Sequence, residues 1–126
     1  MNYTDLMKFF GCEPLVGQFP TFRELIDQKF KQITTDRGVY FVIDDTKPEE
    51  PIAYIGMAST SLRSRVKALV MKKDNHQGGS DIWELPHYDE LRICWKVNKC
   101  ARDYEAEFIE RYRKIKSKRP FANRKA

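Results

Sequence analysis

The segment Gly38-Val39-Tyr40-Phe41-Val42-Ile43-Asp44 is an unbroken apolar, β-branched and aromatic run of strand length, which predicts a strand buried on both faces. A polar stretch with Pro48 follows, and Pro51-Ile52-Ala53-Tyr54-Ile55-Gly56 reads as a second strand, so the two predict an antiparallel hairpin. Leu62, Val66, Leu69 and Val70 then recur at helical spacing, in a helix expected from Thr60 or Ser61 to Lys73. Leu91, Ile93, Trp95 and Val97 alternate with Arg92, Cys94 and Lys96, the period of a third strand with one buried face. A long helix is expected from about Cys100 to Ile115, with Asn98 as its cap and Pro120 beyond its end.

Residues 1–37 read as a helical extension. Thr4 can cap a short helix ending at Phe10, and Thr21 a second over 22–33, with Gly11, Pro14, Gly17 and Pro20 punctuating the gap. Residues 74–80 form a loop containing Gly78-Gly79, and 81–88 hold at most a turn of helix interrupted by Pro86. The order is a helical preface, then β-β-α-β-α over residues 38–126, an α/β (α+β) arrangement.

Length and composition leave room for one domain with one modest core: 126 residues, 41% hydrophobic and 33% charged. No apolar run approaches the roughly 18 residues of a membrane helix, and the first residues lack a secretory signal, so no membrane partner and a cytoplasmic or nucleoid-associated location are expected. Cys12, Cys94 and Cys100 are an odd set without metal-ligand spacing, which argues against a disulfide framework or a zinc site. The formal charge of +5 is unevenly spread: residues 111–126 hold eight Lys or Arg and no acid. Such a cluster, with Lys114, Lys116, Lys118 and Arg119 in it, attracts polyanions by counterion release, and nucleic acid is the first candidate; a merely solvated tail is the alternative.

Three further signals concern chemistry. On a wheel of the last helix, Glu105 falls inside the apolar arc formed by Ala101, Phe108, Tyr112 and Ile109, whereas Glu107 and Glu110 fall on the wet side. A carboxylate facing a core needs a cation, a metal or several donors, so Glu105 is either a ligand or a structural salt-bridge partner. Arg63 and Arg65 flank the apolar stripe of the preceding helix on opposite sides, and geometry alone does not choose between them. Tyr40 and Tyr54 share one face of the hairpin only if paired residue numbers sum to an even value; a core-filling aromatic pair is the plainer reading.

Together these positions resemble a known family. Gly38-Val39-Tyr40 followed by Tyr54-Ile55-Gly56 is similar to the paired motif of the GIY-YIG nucleases, with Val for the usual Ile. Leu62-x-x-Arg65, Glu105-x-x-x-Ile109 and Pro120-Phe121-Ala122-Asn123 resemble, in order, that family's arginine helix, glutamate helix and closing Pro-x-x-Asn. The resemblance implies a three-stranded antiparallel sheet flanked by helices and a metal-dependent DNA endonuclease using one Mg²⁺ or Mn²⁺. It selects Arg65 as the phosphate-binding arginine and implies Glu105 as metal ligand, Tyr40 as general base or positioner of the attacking water, and Tyr54 and Asn123 as orienting groups. Many family members carry a histidine or tyrosine where this chain has Leu69, which keeps open a nucleic-acid-binding module without cleavage. His76 and His87 stay outside the catalytic set. A small protein-interaction domain would leave the basic tail and the inward Glu105 unexplained.

Overall fold

The computed structural model describes residues 19–47, 51–73, 81–116, 120 and 122–123. The expected helix after Thr4 and the Gly78-Gly79 loop lie outside these residues. In chain order the elements are α1 (Phe22–Asp27), β1 (Gly38–Ile43), β2 (Ile52–Ala58), α2 (Leu62–Val70), a 3-10 turn (Tyr88–Glu90), β3 (Arg92–Val97) and α3 (Ala101–Lys116).

The strands form one antiparallel sheet in the order β2-β1-β3. Centrality explains the unbroken apolar run: β1 is covered on both faces and every one of its residues is buried. Because side chains alternate along a strand, Tyr40 and Val42 point to one face, with Tyr54 and Ile93, and Val39 and Phe41 to the other. The first face meets α1 and α2 through Phe22, Leu25, Leu62, Val66 and Leu69. The second meets α3 through Phe108 and Tyr112, with the Phe41 and Phe108 rings edge-to-face at 5.3 Å.

The β1–β2 register is even: Tyr40 pairs with Gly56 and Val42 with Tyr54, both sums being 96. Tyr40 and Tyr54 are therefore diagonal neighbours on the same face, with ring centroids 6.0 Å apart. Beyond Val42 the register slips, Ile43 pairing with Ile52, so that Ala53 is the extra residue of a β-bulge.

Two expectations need correction. The helix expected over 22–33 stops at Asp27, because Lys29 and Phe30 adopt left-handed backbone (φ 55° and 61°) and the Phe30 N–H bonds the Leu25 carbonyl at 2.8 Å. Phe30 and Ile33 sit at helical spacing and are buried as the pattern implies, but from a turn. Left-handed backbone costs about 1–2 kcal/mol per residue, and burying each of these side chains returns about 1.5–3 kcal/mol. The capping box at the start of α1 is present, Thr21 and Glu24 each accepting the other's backbone N–H. In β3 the single buried face holds only as far as Trp95. Cys94 is buried because α3 covers its side of the sheet, and Val97, at the strand's end beside Arg37 and Lys99, is 50% exposed.

At the far end of β1, Asp44 is 2% exposed and its Oδ1 accepts from the Thr46 N–H and hydroxyl at 3.0 and 2.6 Å, while Oδ2 lies 3.0 Å from His87 Nε2. Burial pushes this carboxyl up, but the bonds from Thr46 and His87 outweigh it and hold it below the usual range. His87 thus ties the segment before β3 to the hairpin turn. An acid held low stabilises the fold above its unfolded pKa of about 3.9 and loses that contribution as pH falls through the folded value. Thermal unfolding of the wild type should drop below about pH 4; Asp44→Asn should flatten that limb and cost about 1–3 kcal/mol at neutral pH.

Candidate active site

Each half of the Gly-Val-Tyr and Tyr-Ile-Gly pair has a steric reason for its glycine. A Cβ on Gly56 would lie 2.3 Å from Cζ and 2.4 Å from the hydroxyl of Tyr40, whose ring crosses that position on the neighbouring strand. A Cβ on Gly38 would meet the Lys96 carbonyl oxygen at 2.2 Å and Leu62 Cδ1 at 3.0 Å, where β1, β3 and α2 converge. The first glycine lets Tyr40 lie flat under β2; the second lets the sheet and α2 close on one another.

The polar residues meet at the outer edge of the sheet. β2 is an edge strand, with α2 on one face and α3 on the other, so side chains from the two helices can approach each other past that edge. A cavity of about 430 Å³ lies there, and Tyr54, Arg65, Ser61, Ser64 and Glu105 are among its lining. Arg63 goes elsewhere: its Nε donates to the Ile33 carbonyl at 2.8 Å, pinning the turn after α1. Opposite flanks of one helical stripe thus receive different tasks, Arg65 in the cavity and Arg63 in the scaffold.

Glu105 is half-buried on α3, between the buried Ala101 and Phe108 and the half-buried Ile109, while Glu107 and Glu110 are exposed and pair with Arg111 and Arg113. Burial pushes the Glu105 carboxyl above its ordinary range, and the charges of Arg65 and Arg102 pull it only part of the way back. Its charged form is under-solvated and faces an open cavity.

Tyr40 is fully buried and is not part of the cavity wall; it stands behind Tyr54. Asn123 acts through the backbone. Its Oδ1 accepts the Ile55 N–H at 2.8 Å and its Nδ2 donates to the Ile55 carbonyl at 2.9 Å, and the Ala122 N–H donates to the Ala53 carbonyl at 2.7 Å. The segment with Pro120 therefore seals the outer edge of β2 beside Tyr54. Of the basic tail, Lys114 is exposed on α3, the Lys116 side chain is outside the described residues, and so are Lys118 and Arg119. Leu69, one turn after Arg65, is fully buried and its carbonyl accepts from Trp83 Nε1 at 2.6 Å, so that position is core.

The hydroxyl-rich wall of Ser59, Thr60, Ser61 and Ser64 is absent from the sequence-derived site. Its signal was the polar Ser59-Thr60-Ser61 step between an apolar strand and an apolar helical stripe; Ser61 also caps α2, its hydroxyl accepting from the Ser64 N–H. Among the described residues there is no cluster of three or more His, Cys, Asp or Glu placed to hold a metal, and no helix long and apolar enough to cross a membrane. No family model, curated protein or solved structure matches the chain.

Proposed function

We propose that this chain is a divalent-metal-dependent DNA endonuclease that hydrolyses phosphodiester bonds through a site of GIY-YIG type. The observation that supports it most is the convergence of Arg65 and Glu105, from helices on opposite faces of the sheet, on one cavity with Tyr54. Mg²⁺ is usually held by one or two carboxylates, its other positions filled by water and phosphate oxygens, so a lone half-buried Glu105 beside an open cavity suits Mg²⁺ or Mn²⁺. A divalent ion bound there would supply Lewis-acid polarisation of the phosphate and favour the deprotonated nucleophile.

The chain's own residues supply the remainder. Hydrolysis builds negative charge on the non-bridging and leaving oxygens, and Arg65 places a fixed guanidinium where that charge develops. Tyr54, on the cavity wall, is the phenol placed to orient the attacking water or the phosphate. Tyr40 backs its ring and serves as a base only if the charge of Arg65 favours its phenolate, since a tyrosine of ordinary pKa, about 10, is protonated at neutral pH. Asn123 keeps Tyr54 in place by fixing Ile55. Lys114, Lys116, Lys118 and Arg119 extend the contact along the DNA backbone, and the activity would place the chain with DNA in the cytoplasm or nucleoid.

A second reading, a nucleic-acid-binding module without cleavage, draws support from the burial of Leu69 in the core. Supercoiled plasmid separates the two. Nicking with Mg²⁺ or Mn²⁺ that EDTA abolishes is the expected result; tight binding without nicking favours the second reading, and neither binding nor nicking overturns both.

A further inference from the structure

A second cavity, of about 220 Å³, opens beside the first and shares two of its walls, Met57 and Ser59. Its lining includes Arg37, Lys99 and Arg102. These cations come from two segments far apart in sequence: Arg37 from the approach to β1, and Lys99 and Arg102 from the turn after β3 and the first turn of α3. The Asn98 N–H, bonded to the Arg37 carbonyl at 3.0 Å, fastens the two segments together.

Elsewhere on the described surface, four arginines are neutralised by acids. Arg23 pairs with Asp89, Arg92 with Asp45, Arg111 with Glu107 and Arg113 with Glu110. Arg37, Lys99 and Arg102 are exposed, and among the described residues none of them forms an ion pair, although Asp103 shares the cavity. Among the described residues that line the groove, three cations face one acid, a local excess that attracts anions. Among the described residues no aromatic side chain lines this groove, which suits a sugar-phosphate backbone rather than stacked bases.

Resting on the nuclease reading above, we propose that this groove holds the DNA strand next to the cleaved bond, with Arg37, Lys99 and Arg102 contacting the phosphates that adjoin it. Spacing along α3 sets the reach. Arg102 is one turn before Glu105, about 4.5 Å along the axis at 1.5 Å per residue, close to the roughly 3.4 Å rise per nucleotide of one DNA strand. The groove therefore reads phosphates one or two positions from the cut, on one side only, and contributes affinity without base preference.

The test uses the full chain and a duplex whose cut position has been mapped, with single phosphates replaced in turn by uncharged methylphosphonates. For wild type, a methylphosphonate one or two positions from the cut on one flank should weaken binding about three- to tenfold. Combined Arg37→Gln, Lys99→Gln and Arg102→Gln should reduce the slope of log affinity against log salt by about two to three, at about 0.9 per phosphate contact. The same variant should lose its sensitivity to that methylphosphonate while keeping the wild-type unfolding temperature. A variant that keeps both the salt slope and the methylphosphonate profile overturns the proposal. Binding is measured with EDTA present, so the groove is decided separately from cleavage. If wild type binds without nicking, the nuclease reading fails, the profile is taken across the protected footprint, and the same two outcomes decide the groove.

Discussion

Glu105→Gln is expected to abolish metal-dependent nicking, by at least about a thousandfold in kcat or about 4 kcal/mol of barrier, without lowering the unfolding temperature. The two halves of this expectation have one cause. Burial holds the Glu105 carboxyl above its ordinary range despite Arg65 and Arg102, so the charged form costs more in the metal-free fold than in the unfolded chain. A group with a raised folded pKa stabilises the fold below its unfolded value and loses that contribution as pH rises through the folded one. Glutamine, which mimics the neutral acid, removes the penalty of burying the charged form, so the substitution should not lower the unfolding temperature. Added Mg²⁺ should raise the unfolding temperature of wild type and leave that of Glu105→Gln unchanged. Glu107→Gln and Glu110→Gln, which remove only exposed pairs, should stay within about 0.5 kcal/mol and retain nicking. Were Glu105 merely a buried salt-bridge partner of Arg65, its neutralisation would cost about 3–5 kcal/mol and activity would fall only with the fold. Unfolding curves and nicking rates on the three variants distinguish these outcomes.

A large stability loss is expected from adding a single methyl group at Gly38, and a smaller one at Gly56. Gly38→Ala sets a Cβ against the Lys96 carbonyl oxygen, and backbone on both sides leaves no rotamer to escape into. The β1–β3 pairing must separate, at a cost of about 3 kcal/mol or more, a large share of the roughly 5–15 kcal/mol that holds a domain folded. Gly56→Ala collides with a side chain instead, the buried Tyr40 ring. It should cost about 1–3 kcal/mol and depress nicking beyond that loss, because the displaced ring pushes on Tyr54. Shrinking the obstacle should reveal the difference. Tyr40→Leu combined with Gly56→Ala should be less destabilising than the sum of the two, whereas no side-chain change rescues Gly38→Ala. Chemical denaturation of the single and double variants measures both; additive behaviour at Tyr40 and Gly56 would contradict the packing described.

Elements whose burial is decided along the chain itself were legible in the sequence. The two-faced apolar run of β1, the stripe of α2 and the inward Glu105 on α3 all follow from periodicity. The even β1–β2 register is not legible in the sequence, since the turn permits either parity. The choice of Arg65 over Arg63 came from motif order; the reason lies in tertiary contacts, because the Ile33 carbonyl that holds Arg63 belongs to a turn that reads as helix. The early end of α1 is hidden in the sequence because Phe30 and Ile33 keep helical spacing while leaving the helix. Burial of Cys94 depends on where α3 lands. The basic groove was invisible for a similar reason: Arg37 and Lys99 are 62 positions apart, and only the β1–β3 pairing makes them neighbours.

Asn123 closes onto Ile55 across 68 positions of chain, which has a consequence for biogenesis. At ribosomal rates of about 5–20 residues per second, β2 is synthesised roughly 3–14 s before the residues that cover its outer edge. During that interval an apolar strand with unsatisfied N–H and C=O groups can pair with its counterpart on another nascent chain. Crowded polysomes should therefore favour aggregates seeded at residues 52–58, and slower synthesis should lengthen the exposure.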